Sequence, residues 1–201
     1  EILLSATYQQ ASQDRAAGMA RDPENRWLWR MNRRRHDFET LRDSLLAVGG
    51  RLDPSLGGPP VGFDAPRRTL YVFLDRMDLP SLYSTFDFPS PSASCPQRAA
   101  TTVAPQALFL MNSPLVISAA EHLAQDLCSS SSDFTARAVR MSRTVLGRTL
   151  QQDELTALQQ AVARLAAQLQ SDATPQAQRD VAVWTSLCQS LLMSNEFLYV
   201  R

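Results

Sequence analysis

The chain has 201 residues, 44% of them apolar, which is enough for one domain with a real core or for two small ones sharing an interface. Twenty basic residues balance twenty acidic ones, so no whole-protein field draws in nucleic acid or an anionic membrane surface. Every basic residue is Arg, and a chain without Lys has neither a Schiff-base amine nor a P-loop lysine.

In chain order, the opening stretch from Glu1 to about Gly18 carries Leu3, Leu4 and Tyr8 at helix-compatible positions and then turns polar. It reads as the exposed end of a helix begun upstream, with residue 1 not a native start. Asp22-Pro23-Glu24-Asn25 is a turn, and an Arg-rich stretch with Trp27 and Trp29 leads into a helix predicted over His36 to Val48. Leu41, Leu45 and Val48 form its apolar stripe, and Gly49-Gly50 ends it. From Arg51 to Arg68, four Pro and three Gly impose turns and extended backbone. Leu70-Tyr71-Val72-Phe73-Leu74 is a run of β-formers and predicts one short buried strand. The irregular stretch Phe86 to Pro91 should lie against the core surface.

After Thr102 the pattern becomes helical. A short apolar helix near Pro105 to Met111 meets Asn112-Ser113-Pro114, where Ser113 suits a cap and Pro114 a first helical turn. The next helix carries Val116, Ala120, Leu123 and Leu127 on one face, and Ser129 to Ser132 reads as a linker. Phe134, Ala138, Met141 and Val145 then make an amphipathic helix that Gly147 stops. Thr149 is expected to cap a helix with Leu155, Leu158, Val162, Leu165 and Leu169 as its seam. Thr174-Pro175 restarts the chain, and Val181, Trp184, Cys188 and Leu191 repeat the spacing, which predicts an antiparallel helix hairpin.

The expected fold is therefore mainly α, a helical bundle with a C-terminal antiparallel helix hairpin and a loop-rich N-terminal half holding one short strand. Residues 1–128 form the loop-rich part, 129–132 the Ser linker and 133–201 the three-helix part, together one composite domain. No apolar run reaches the roughly 18 to 20 residues of a membrane span. Cys95, Cys128 and Cys188 fit neither a disulfide framework nor a zinc pattern; one disulfide with a free thiol and three reduced cysteines are both open.

Several strings carry a family likeness. They are Leu41 to Leu52 followed by Gly57-Gly58-Pro59-Pro60, then Arg67-Arg68-Thr69-Leu70-Tyr71 with Asp75-Arg76, Leu79-Pro80 and Thr85-Phe86-Asp87-Phe88. Thr101 to Pro114 is the most specific, and Ser194 to Val200 resembles a family terminus. The chain resembles the C-terminal domain of unknown function of planctomycete cytochrome c-like multidomain proteins. That resemblance implies upstream domains of the same protein as partners, a periplasmic, cell-surface or secreted location, and haem in the parent protein rather than in this chain. Cys95 stands where close relatives often have another residue.

The chemistry within the chain is sparse. Covalent haem attachment needs Cys-x-x-Cys-His, which is absent, and His36 and His122 lie far apart in sequence. Asp75, Asp78 and Asp87 are the one carboxylate cluster in a loop-rich region that could serve glycoside hydrolysis; turn caps and ion pairs are the commoner use. Between Arg26 and Arg42, six Arg face only Asp37 and Glu39, interleaved with Trp27 and Trp29. With zero net charge overall, Arg forks paired to acids, with the tryptophans packed inward, outweigh a nucleic-acid surface. Arg98, Thr101, Thr102, Gln106 and Asn112 flank a very apolar helix, where they form either a hydrogen-bond network fixing it or a polar cleft for a sugar-like ligand such as polysaccharide. No metal site is expected. The leading expectation is a noncatalytic scaffold or interaction domain, ahead of part of an oxidoreductase or carbohydrate-active enzyme completed upstream.

Overall fold

In the computed structural model, which describes residues 1–169 and 175–200, the helical pattern of the second half assembles around one pair of helices. Ser113 accepts from the Leu115 N–H at 3.3 Å and Pro114 opens the first turn of α5 (Pro114–Ser130), since its missing N–H is one no helix start can use. Val116, Ala119, Ala120, Leu123, Ala124 and Leu127 are buried along α5. The three alanines let backbones approach closely, and α8 (Gln176–Leu192) lies against this face in the most extensive helix contact of the molecule. Val183, Trp184, Leu187, Cys188 and Leu192 are the buried residues of α8.

Two further helices flank this pair. Asp133 caps α6 (Phe134–Leu146) by accepting from the Ala136 N–H at 2.7 Å, and Gly147 stops it at φ 71°, a conformation glycine adopts at little cost because it has no Cβ. α7 (Gln152–Gln168) starts at Gln151 rather than at the expected Thr149, because the Glu154 carboxylate reaches back to the Gln151 N–H at 2.7 Å. Its seam, Leu155, Leu158, Val162, Leu165 and Leu169, packs half-buried on the core and α7 contacts α8 as the hairpin requires. Thr174, expected in the connecting turn, lies outside the described residues. The serine run is only partly a linker: Ser129 and Ser130 close the last turn of α5, and one apolar cluster spans both sides of it.

The first half is built differently. Asp37 caps α2 (Phe38–Val48) through the Thr40 N–H at 2.9 Å, and α2 buries Phe38, Leu41, Arg42, Leu45 and Leu46. Around Phe38 stand Phe63, Tyr83, Phe86 and Phe109, with ring centroids 5.0 to 6.2 Å from it, the geometry in which aromatic quadrupoles attract. Tyr83 sits on the short α3 (Ser81–Thr85) and Phe109 on α4 (Ala104–Asn112). β1 (Arg34–Arg35) pairs antiparallel with β2 (Tyr199–Val200), which follows α9 (Asn195–Leu198) and returns the end of the chain to the first half.

Two expectations fail here. The strand placed at Leu70–Leu74 is instead a 3-10 turn, Thr69–Tyr71, followed by one bridge between Val61 and Val72. Only Val72 is buried, while Leu70 and Phe73 are 74% and 65% exposed, because the Gly/Pro loop brings a single residue alongside and no ladder can extend. The opening segment is not a helix end either: Ile2–Leu4 form one 3-10 turn, and a separate short helix, α1 (Ala16–Arg21), follows. Among the described residues no single helix is long and apolar enough to cross a membrane.

Candidate functional site

The best-organised polar cluster lies where β1, the start of α2, the Phe86–Phe88 turn and the start of α4 meet. Arg35 on β1 holds the Asp87 carboxylate at 2.9 Å and also donates to the Thr101 carbonyl and the Gln106 side-chain oxygen. Asp87 accepts from the Thr101 N–H at 2.8 Å and the Thr101 hydroxyl at 2.7 Å. Gln106, 5% exposed, donates to the Thr85 carbonyl at 2.8 Å, tying α4 to the end of α3. Burial alone would raise the Asp87 pKa, but the two hydrogen bonds from Thr101 and the Arg35 guanidinium outweigh it and hold the carboxyl below the usual range. Such a group is a poor proton donor at neutral pH. Asp87 also adopts φ 61°, a left-handed conformation that Asp tolerates better than most residues.

Of the residues expected to share a site, the structure unites Asp87, Thr101 and Gln106, with Thr102 exposed on the wall beside them. Arg98 stands at the rim in a two-pronged pair with Glu39, at 3.0 and 2.8 Å, its guanidinium 5.2 Å above the Phe88 ring. Asn112 is at the other end of α4, donating to the Leu108 carbonyl at 3.0 Å. Asp75 caps a turn through the Met77 N–H at 2.8 Å, and no hydrogen bond or shared partner links it to Asp87 among the described residues.

Sequence reasoning passed over the residues that organise the region. Arg35 was one of six in an Arg-rich window, and nothing in the sequence singles it out from Arg33 or Arg34. Arg42 was hidden the same way: it is 1% exposed and donates to the carbonyls of Arg67 (2.8 Å), Phe63 (2.5 Å) and Ala65 (2.6 Å) and to the Thr69 hydroxyl (3.2 Å). An Arg at a core position of the α2 stripe, one residue after Leu41, was the available signal. The expected inward packing holds for Trp29, whose ring covers Gly18 and whose indole N–H donates to the Asp22 carbonyl at 2.7 Å. It fails for Trp27, which is 79% exposed in a turn where Asn25 and Leu28 take positive φ.

Two connected spaces open on this cluster. A polar groove of about 650 Å³ runs past Arg33, Arg34, Asp37, Arg98, Thr101 and Thr102. An apolar slot of about 190 Å³ continues beneath it among Leu41, Phe86, Val103, Leu110, Met193 and Leu198. Arg35, His36, Thr102 and Tyr199 border both. Burial lowers the His36 pKa, with Asp37 partly offsetting the effect. The slot alone is smaller than the about 300–1,000 Å³ of small-molecule sites. His122, the other histidine, is exposed on α5, and no group of three or more His, Cys, Asp or Glu able to hold a metal ion occurs among the described residues.

A mainly helical domain with a hydrogen-bonded polar cluster beside an apolar slot is the class that these features define. The model of one family, PSD1, described as a protein of unknown function (DUF1553), matches residues 1–162, and the chain belongs to that family. No curated protein and no solved structure matches it. The match ends within α7, so α8, α9 and β2, which complete the core and the small sheet, lie beyond it.

Proposed function

We propose that this chain is a noncatalytic interaction module of a secreted, multidomain protein, working with upstream domains of the same chain. The supporting observation is the Asp87 carboxylate, the group best placed to act on a ligand, whose two oxygens are both engaged by Thr101 and Arg35. A carboxylate held this way organises backbone, and its lowered pKa makes it a weak base and a poor proton donor. Assay of the purified chain against glycan and redox substrates tests the reading, with no turnover expected. Turnover that Asp87→Ala abolishes would end it.

A second reading, a glycan-contacting part of a carbohydrate-active enzyme or oxidoreductase completed elsewhere, draws support from the polar groove, whose volume suits a sugar and whose wall carries Thr101, Thr102 and Tyr199. It requires glycan affinity or a haem Soret band in the longer parent protein, and an intact parent with neither removes it.

A further inference from the structure

The outer face of α4 is apolar where a surface helix is ordinarily polar. Ala104, Ala107, Leu108 and Met111 recur at spacings of three, one and three, and with Val103 ahead of them they make one exposed stripe. Val103, Leu108 and Met111 are 42%, 57% and 52% exposed. Val103 and Ala107 belong at once to this stripe and to the wall of the apolar slot, so stripe and slot are one continuous surface. A helix that is apolar all round is normally covered.

Size and charge decide what covers it. At about 190 Å³ the slot is smaller than the about 300–1,000 Å³ of small-molecule pockets, and is scaled to one inserted side chain. The groove above it contains Arg33, Arg34, Arg35, His36 and Arg98 against Asp37 and Asp87. Arg33 pairs with Asp14, Arg35 with Asp87, and Arg98 with Glu39 and Asp37. Arg34, exposed on β1, has no ion pair among the described residues and leaves one free guanidinium at the groove.

We infer that the α4 face and the slot dock a segment of a partner protein that inserts one large apolar side chain between α4 and α9 and lays acidic residues along the groove at Arg34. The inference rests on the reading of the chain as an interaction module and names the chemistry of its partner. An apolar anchor in a desolvated pocket supplies the affinity, and rim charge sets the choice among partners.

Fluorescence polarisation of the full chain with seven-residue peptides tests it: a central Phe, Leu or Ala is crossed with Glu, Ser or Arg flanks. Saturable binding is expected for Phe or Leu with Glu flanks, and weakening of about tenfold for a central Ala, by the loss of a hot-spot anchor. Ala107→Trp, which fills the slot wall from an exposed position, should weaken binding about tenfold as well. Arg34→Glu should weaken the Glu-flanked peptides about fivefold and spare the Ser-flanked ones. Should Ala107→Trp not fold, Leu108→Glu on the exposed stripe replaces it.

No saturable binding by any Phe or Leu peptide, or equal binding with Arg flanks, overturns the inference. So does a concentration-dependent dimer that Ala107→Trp disperses, which assigns the face to a second copy, and so does binding of a glycan oligomer in place of the peptides. Turnover of a substrate by the chain would sink the interaction reading itself; an inert chain that ignores the peptides sinks this inference alone.

Discussion

The helical half and the loop-rich half of this protein are held by different physics. Around α5 and α8 the contacts are almost wholly apolar, with Leu127, Ala124, Ala120, Met141, Cys188 and Leu192 fully buried. Between residues 12 and 101 the chain is instead braced by Arg side chains aimed at backbone carbonyls: Arg33 at Ser12, Arg67 at Ser55 and Gly57, Arg42 at Phe63, Ala65 and Arg67, and Arg35 at Thr101. Loops that cannot pair their carbonyls in a ladder need such donors, and a planar guanidinium serves two to four acceptors from one position. Lys, with three donors on a flexible stem and no planar fork, is less suited to this, and the chain has none.

Removing the busiest brace should have the largest effect. Arg42→Ala deprives one buried and three half-buried acceptors of this donor and is expected to destabilise by about 3–5 kcal/mol, measured by urea unfolding. Arg42→Lys keeps the charge but not the fork and should recover less than half of that. A loss under about 1 kcal/mol for Arg42→Ala would place the bracing in solvent-exchangeable bonds and break the contrast between the halves.

The matching experiment in the other half is Leu127→Ala, expected to cost about 2–5 kcal/mol through lost burial and the cavity left behind. Leu158→Ala, on the half-buried seam of α7, should cost less than Leu127→Ala. Equal losses would mean that α7 is as central as α5. Smaller again is Asp87→Ala, about 1–3 kcal/mol, because Arg35 and the Thr101 N–H lose their acceptor. Asp87→Asn, which keeps an acceptor and tolerates φ 61°, should recover part of it, and thermal unfolding of the pair separates the two contributions.

The contrast also explains what could be read in advance. Apolar spacing along a helix maps directly to burial. In α8, Trp184 and Cys188 are buried as expected and Val181 and Leu191 are half-buried. The faces of α5 and α6, the stop at Gly147 and the start at Pro114 were legible from Val116, Leu127, Met141 and their neighbours. The partner of α8 was not: spacing announces a seam and leaves open what it meets, and α5 rather than α7 takes most of it. In the loop-rich half the determinants are pairings across 10 to 71 positions, such as Arg67 with the Gly57 carbonyl and Arg35 with Gln106, and no local pattern encodes them. The run Leu70–Leu74 misled because β propensity describes a residue's fit to a pleated surface, and here no neighbouring strand supplies one. For the candidate cluster, Asp87, Thr101 and Gln106 were visible as polar residues beside an apolar helix, whereas Arg35, which binds them together, looked like its neighbours.

The smallest effect tests whether charge matters in the helical half at all. Arg148 joins the start of α7 to α9 by pairing with Glu154 at 2.7 Å and with Glu196 at 2.7 Å. The Arg148 guanidinium and the Gln151 N–H hold the Glu154 carboxyl at about 2, against an ordinary value of 4.5. Between those values the unfolded chain binds more protons than the folded one, so stability rises with pH across the window. The contribution is complete above the ordinary value and is lost as pH falls through about 2. Both side chains are 36% exposed, so solvent screening keeps the effect below about 1 kcal/mol. Glu154→Gln should therefore flatten the acid limb of a urea midpoint series between pH 4.5 and 2, and added salt should flatten the wild-type limb in the same direction. Identical limbs for the two proteins would show that the clip is dispensable and that apolar packing alone seats α9, which carries β2 back to Arg34 and Arg35 and so closes one wall of the slot.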